Sequence, residues 1–378
     1  MNTVLFSCAP RAPIATLLVC AALLCAATAA QAAVTISTKA TNNMSCTGGV
    51  CTPTAPKANL NVTDLANMLA AGDATVVSES AAKDIEFKAP LSWTSTSRLT
   101  LDSYRSIVFQ QPITVTGTGA LTLATNDGGS NGDFWFEKRG HVEFWDLKSS
   151  LAINGNSYTL VRSIRQLAGA VATNPAGAYA LAKDYNASKD GSYAQSPVTT
   201  TFTGTFEALG HAIRGLRIST HTTVSSLGLF ALVNTGGVLR DLNIIDSSIS
   251  SNGEADFVGL VAGRTYGTTV DNVNASGTVD AGCCEAGEYG LLIGWSSEDV
   301  IAHTSSSGSV IGTNGVGGLI GEIAETELSW SHSTTNVTSS FGDAGGLLGT
   351  TYTSSGAGSV DHCFATGIVT GTGGVAAA

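Results

Sequence analysis

The chain has 378 residues, 44 of them glycine, with 12% charged residues, 7% aromatics and a formal net charge of −11. That acidic balance, with no basic run to supply phosphate contacts, excludes a protein that holds nucleic acid nonspecifically. Ser, Thr, Gly, Ala, Asn and Val dominate, which suits many short strands and turns rather than helical domains, and the length fits two or three ordinary domains or one elongated solenoid.

Residues 1–32 read as a signal peptide. Arg11 is the positive start, Ile14 to Ala30 is a short Ala-rich apolar run, and Ala30-Gln31-Ala32 is a small-x-small cleavage site. No basic stop-transfer flank follows, so a membrane anchor is disfavoured. Val19 and Leu24 sit where a lipoprotein box at Cys20 or Cys25 needs a small residue. The expected mature chain is exported and has no transmembrane helix. Cleavage removes Cys8, Cys20 and Cys25 and leaves Cys46, Cys51, Cys283, Cys284 and Cys363. "SCTGGVC" closes a small loop, so in an oxidising compartment Cys46 is expected to pair with Cys51. Cys283 and Cys284 are adjacent and would be strained as a pair. One cysteine stays unpaired or bonds another molecule.

Residues 33–150 form a β-rich, β-helix-like region with "RLTLDSY", "SIVF", "ITVTGTGALTLAT" and "GHVEFWDL" as short strands. One helix interrupts them in "NVTDLANMLAAGD", with Thr63 as cap, Leu65, Met68 and Leu69 on one face, and Gly72 as stop. Residues 151–200 hold a hairpin, a short helix and a polar loop. "LAINGNSYTLV" turns at Asn-Gly, and Ile164, Leu167, Ala168 and Val171 then share a helix face that ends before Pro175.

From residue 201 to 378 an internal repeat takes over. The first glycines of its recurring word are Gly228, Gly259, Gly290, Gly317 and Gly345, with a sixth start at Gly373; the spacings are 31, 31, 27, 28 and 28. Gly263, Gly294, Gly318, Gly321, Gly346 and Gly349 recur behind them, and "NASGTV", "SSSGSV" and "FATGIV" run in phase. The repeats contain no long amphipathic segment, so helical solenoids fail. The expected fold is an all-β right-handed parallel β-helix with coils of about 27–31 residues, plus one or two short helices in the N-terminal half. Leu260, Val261, Leu291, Ile293, Leu319, Ile320, Leu347 and Leu348 should form core ladders, and the glycines should allow tight corners and positive φ. Cys284 and Cys363 then lie three coils apart, about 14 Å at the strand spacing, too far for a disulfide.

"TFTGTFEALGHAIRGLRI", "GLFALVNTGGVLRDLNI", the Gly words and "CFATGIVTG" resemble the GLUG-motif repeats of filamentous-haemagglutinin-like bacterial adhesins, over about Gly140 to the C-terminus. The resemblance implies a secreted or cell-surface β-helical stalk used in adhesion. Its partners would be a glycan or protein of a host or neighbouring cell, with an outer-membrane translocator for export. The Asn-Pro-Asn signature of two-partner secretion is missing, since only "TNPAG" occurs. The last word opens a coil that it does not finish, so a fragment of a longer product is expected.

Paired carboxylates would mark a polysaccharide-active enzyme, but Asp241, Asp246, Asp256, Asp271, Asp280, Glu285, Glu288, Glu298 and Asp299 do not share one repeat phase. His211 and Arg214 in "GHAIRG" read as a strand and turn. Ser130 in "GGSNG" lacks the strand–helix setting of a nucleophile elbow, and there is no His-Glu-x-x-His or phosphate loop. No catalytic, cofactor or metal set is therefore expected. Trp295 and Trp330 are the candidate ligand contacts, as sugar-stacking rings. The reading is an exported, non-enzymatic adhesin-like module. Its alternatives are a β-helical lyase or glycosidase and the stalk of a larger secreted peptidase.

Overall fold

The computed structural model describes residues 32–253, 255–281, 287–352, 358–371 and 376–377. The segment up to Gln31, where a signal peptide is expected, and Cys283, Cys284, Glu285 and Gly373 lie outside the described residues. Runs of Val, Ile, Leu and Thr at alternate positions, broken every few residues by turn formers, bury one side of a short strand and must stack it on another. The chain does so as a parallel β-solenoid. Val238 pairs with Thr269, Thr269 with Val300, Val300 with Glu327 and Glu327 with Ser359, each one coil apart. The first three steps reproduce the glycine spacing. The last is 32 residues long, and Gly345 likewise pairs with Ala377 rather than with Gly373. The residue in register with Gly345 in the last coil is therefore Ala377, four positions beyond the expected start.

One 14-stranded sheet, here called the spine, runs through both halves of the chain. It begins with a hairpin, Met44–Thr47 against Val50–Pro53, in which Cys46 faces Cys51 and is disulfide-bonded to it. Beyond that hairpin its strands are parallel within each half and reverse once, where Ser150–Ile153 pairs antiparallel with Asn156–Val161. Asn154 (φ 48°) and Gly155 (φ 82°) make the turn, both left-handed as a two-residue hairpin of matching twist requires.

The reversal also changes which side of the spine is inside. Leu121, Leu123, Leu151 and Ile153 belong to an N-terminal core, joined on the same sheet face by Tyr158, Leu160 and Ala180. Tyr179, Phe206, Leu239 and Val270, stacked in register, point the other way into a second core. Two solenoid lobes therefore share one sheet and bury opposite faces of it. Strand direction and core side invert together, so both lobes wind in the same sense.

Helix α1 (Val62–Ala71) packs Leu65 and Leu69 into the first core and ends at Gly72. Its cap is Asn61, whose side-chain oxygen accepts from the Thr63 and Asp64 amides; Thr63, the expected cap, lies within the first turn. Helix α2 (Ile164–Thr173) is capped by Ser163, buries Ile164, Leu167 and Val171, and stops before Pro175.

Each coil of the second lobe has a spine strand followed by strands in three further sheets, exemplified by Asn243–Ser251, Ala255–Val258 and Ala262–Tyr266. The repeated Gly words join the last two. Leu260, Val261, Leu291, Ile293, Leu319 and Ile320 are fully buried there, while Leu347 and Leu348 are partly buried. The glycines are not there for positive φ: Gly228, Gly259, Gly290 and Gly317 all lie outside the left-handed region. A Cβ on Gly290 would stand 2.1 Å from the Ile293 carbonyl oxygen and one on Gly317 1.8 Å from that of Ile320. The second glycines press on the neighbouring sheet. A Cβ on Gly263, Gly294, Gly321 or Gly349 would come within 2.4–2.7 Å of the backbone nitrogen of Leu227, Val258, Tyr289 or Val316. One on Gly318 would stand 2.0 Å from the Gly346 oxygen, and one on Gly346 2.9 Å from the Ala365 Cβ.

Left-handed corners occur elsewhere, without glycine. Asp241, Asn272, His303, Trp330 and His362 each follow a spine strand with φ of 49–54°. A side chain there costs on the order of 1 kcal/mol, least for Asp and Asn.

Backbone crowding and open space on a helix predict opposite outcomes for alanine. Gly317→Ala should lower unfolding free energy by about 2 kcal/mol or more through overpacking. Gly169→Ala, inside α2 with open space around it, should raise it by about 0.5–1 kcal/mol. Urea unfolding of the two variants checks both signs.

Candidate functional site

The change of core side leaves polar residues of the second lobe under the end of the first. Glu207, Arg240 and Asp271 are neighbours on the outward face of the spine. Arg240 donates to the Asp133 carboxylate at 2.6 Å, lies 3.6 Å from that of Asp271 and sits 4.9 Å over the Phe134 ring. Glu207 is buried and accepts the Leu209 amide at 2.8 Å. Asp241 is buried and accepts from the Asn272 amide group at 2.6 Å. Burial, with Asp241 as neighbour, pushes the Glu207 carboxyl well above its usual range; burial also raises Asp241, against the pull of Arg240. These groups pin the lobes together.

Beside them a cleft of about 310 Å³ opens on the seam. Its first-lobe wall is the stretch from Lys138 to Glu143; the opposite wall holds Asp184 and the turn from Gly210 to Arg214. Leu209 (φ 54°) and Gly210 (φ 81°) form a tight turn closed by the His211 amide on the Ala208 oxygen. The turn aims Leu209 into the first core and His211 at the seam. His211 is buried, with Nε2 2.8 Å from the Val142 carbonyl and Nδ1 3.2 Å from Asp184. Both ring nitrogens face acceptors, so the ring is held from two lobes. Asp184 also accepts the Ala212 amide at 3.0 Å, and its pKa is held at about 2, chiefly by the His211 hydrogen bond. The His141 ring lies 5.1 Å from that of His211; burial and then His211 lower its pKa. The sequence reading of His211 as a turn residue is correct as to place, and it missed the cleft.

The two candidate tryptophans differ in environment. Trp330 is 57% exposed at a left-handed corner, stacked on His362 of the next coil at 4.0 Å. His332 stacks on Phe364 at 5.0 Å on the same two coils. Trp295 is half-buried. Its indole nitrogen donates to Glu322 at 3.0 Å, and Arg264 lies 5.0 Å from its ring and 4.7 Å from that of Phe257. Glu288 and Glu322 of adjacent coils both approach the Thr350 hydroxyl, at 3.4 and 3.2 Å. Burial, then repulsion from Glu322, pushes the Glu288 pKa up to about 7.

The remaining acids scatter. Asp299 is buried inside the coil, where Thr265, Thr268 and Ser296 donate to it. Asp271 pairs with His303 at 2.8 Å, and Glu298 accepts from Tyr266. Asp246, Asp256 and Asp280 are exposed. Cys363 is a free thiol at intermediate burial. Among the described residues no cluster of three or more His, Cys, Asp or Glu is placed to hold a metal, and no helix is long and apolar enough to cross a membrane.

The structure thus defines a parallel β-solenoid protein. No family model and no solved structure matches the chain. It is similar to halomucin of Haloquadratum walsbyi (strain DSM 16790 / HBSQ001), 28% identical over 166 residues, which is 43% of this chain and 2% of that protein's own length.

Glu207, Asp241 and Glu288 hold a proton in the folded state that the unfolded chain has released, so stability should fall as pH rises from about 4 to about 7. Asp184 and His141, both held low, act in the opposite sense, Asp184 below the ordinary carboxylate range and the single His141 below the ordinary imidazole range, so the three carboxyls set the sign. Thermal unfolding midpoints should be higher at pH 5 than at pH 8, and Glu288→Gln should flatten the slope. A midpoint that rises from pH 5 to pH 8 would contradict this.

Proposed function

We propose that the chain is an exported, non-enzymatic adhesin-like module of the GLUG-repeat, filamentous-haemagglutinin-like type. It presents a stiff acidic stack of coils to a glycan or protein on a host or neighbouring cell. Binding sums weak contacts along the length, each raised by the effective concentration that the others create. The observation that carries the reading is the exposed Trp330–His362 stack, repeated in kind by His332–Phe364 on the same two coils. Flat rings held on a rigid corner at coil spacing suit sugar faces or aromatic side chains. Halomucin, similar over a short stretch, adds nothing specific about ligand.

A second reading has one observation in its favour. Glu288, with its pKa at about 7 beside Glu322, has the protonation of a general acid next to a second carboxylate, as a polysaccharide-active enzyme needs.

Trp330→Ala should weaken attachment to whichever cell or glycan surface the native protein binds by about 3- to 10-fold, the worth of one aromatic contact. Flow cytometry or a printed glycan array reads this. Equal attachment by native protein and variant would sink the aromatic assignment. A reducing-end assay on acidic and neutral polysaccharides separates the second reading: turnover that disappears in Glu288→Gln would replace adhesion by catalysis.

A further inference from the structure

The seam cleft is locally basic in an acidic protein. The whole chain has 18 Lys and Arg against 29 Asp and Glu, yet Lys138, Arg139 and Arg214 all line one cavity. Lys138 donates to the Gln110 side chain at 2.9 Å. Neither Arg139 nor Arg214 lies at ion-pair distance from a carboxylate among the described residues. The guanidinium groups come from different lobes, so only the folded seam brings them to one cavity. Asp184, one of two carboxylates in the lining, already accepts from His211 and from the Ala212 amide. Its charge is turned to the imidazole.

We propose that this cleft binds an acidic saccharide through its carboxylate, a sugar of the uronate class. A guanidinium fork pairs with a carboxylate through two charge-assisted hydrogen bonds. Glu143 and the outer oxygen of Asp184 supply acceptors for sugar hydroxyls, and the His141 ring provides a flat wall for the sugar face. The cavity, about 310 Å³, is at the small end of ligand sites and suits one ring or little more. The two carboxylates in the lining disfavour a compact dianion such as sulfate, which has no hydroxyls to offer them. The site is independent of the Trp330 corner and stands or falls without it.

The test is isothermal titration of the full chain with glucuronate, with glucose and with inorganic sulfate, at low and at moderate salt. Glucuronate should bind at least about 10-fold more tightly than glucose, the worth of one charged hydrogen-bonded pair, and should weaken as salt rises. The double variant Arg139→Ala, Arg214→Ala should lose that 10-fold preference. Both side chains are exposed, so its thermal unfolding should match that of the native protein, which serves as the check on folding. Trp330→Ala should bind glucuronate as the native protein does, which separates this site from the proposed attachment surface. Glucose binding as tightly as glucuronate, or an unaffected double variant, would overturn the proposal. Sulfate binding as tightly as glucuronate would also overturn it, as the mark of a general anion site.

Discussion

Asn154 and Gly155 reverse the spine sheet between its two parallel halves, and the rest of the molecule depends on that reversal. A parallel coil returns each strand to the same face, so a solenoid that never reverses has one core on one side of every sheet. Turning the strand end for end puts Tyr179 and Phe206 on the face opposite Leu151 and Leu160. The second lobe therefore continues along the same sheet but builds its core on the other side. Because the chain winds in the same sense throughout, the sheet passes from one lobe to the other without a break in its hydrogen bonds.

That displacement explains the location of the polar residues. Each lobe covers part of the outward face of the other where they overlap, and outward faces of solenoids are polar. Glu207, Arg240 and Asp241 are consequences of this geometry: positions of the second lobe that the first covers wholly or in part, held by the Leu209 amide, Asp133 and Asn272 respectively. Farther along, the same ladder reaches Asp271 and His303, where the cover ends and the groups are more exposed. The cleft with Arg139 and Arg214 lies at the edge of the overlap, where two convex bodies leave a concave joint.

Much of the architecture was legible. The Asn-Gly turn, both helices, the small disulfide loop and the coil period follow from local signals, because each rests on residues adjacent in sequence or on a repeat. The function of the glycines was less legible. Positive φ and close backbone approach both demand glycine, and a sequence cannot separate them; Gly317 is constrained by the Ile320 oxygen. The left-handed corners were hidden for the opposite reason, since Asp241, Asn272, His303, Trp330 and His362 share a conformation and no chemistry. Their common signal is position: each follows a spine strand whose middle residue is apolar, as Leu239, Val270, Ile301 and Leu328 are. The cleft could not be read at all. His211 and Val142, which touch across it, are 69 residues apart, and their contact follows from the change of core side, which no single segment encodes.

The central claim is that one continuous sheet joins two lobes with a core on each face. Hydrogen–deuterium exchange of the intact chain, read by mass spectrometry over Ser150–Ile153, Asn156–Val161 and Ala178–Leu181, tests it most directly, since covered and paired amides open only with the lobes they belong to. The account predicts that these strands exchange as slowly as the spine strands at the middle of either lobe. Exchange there as fast as in the exposed loops would show two separate solenoids joined by a linker, and would contradict it.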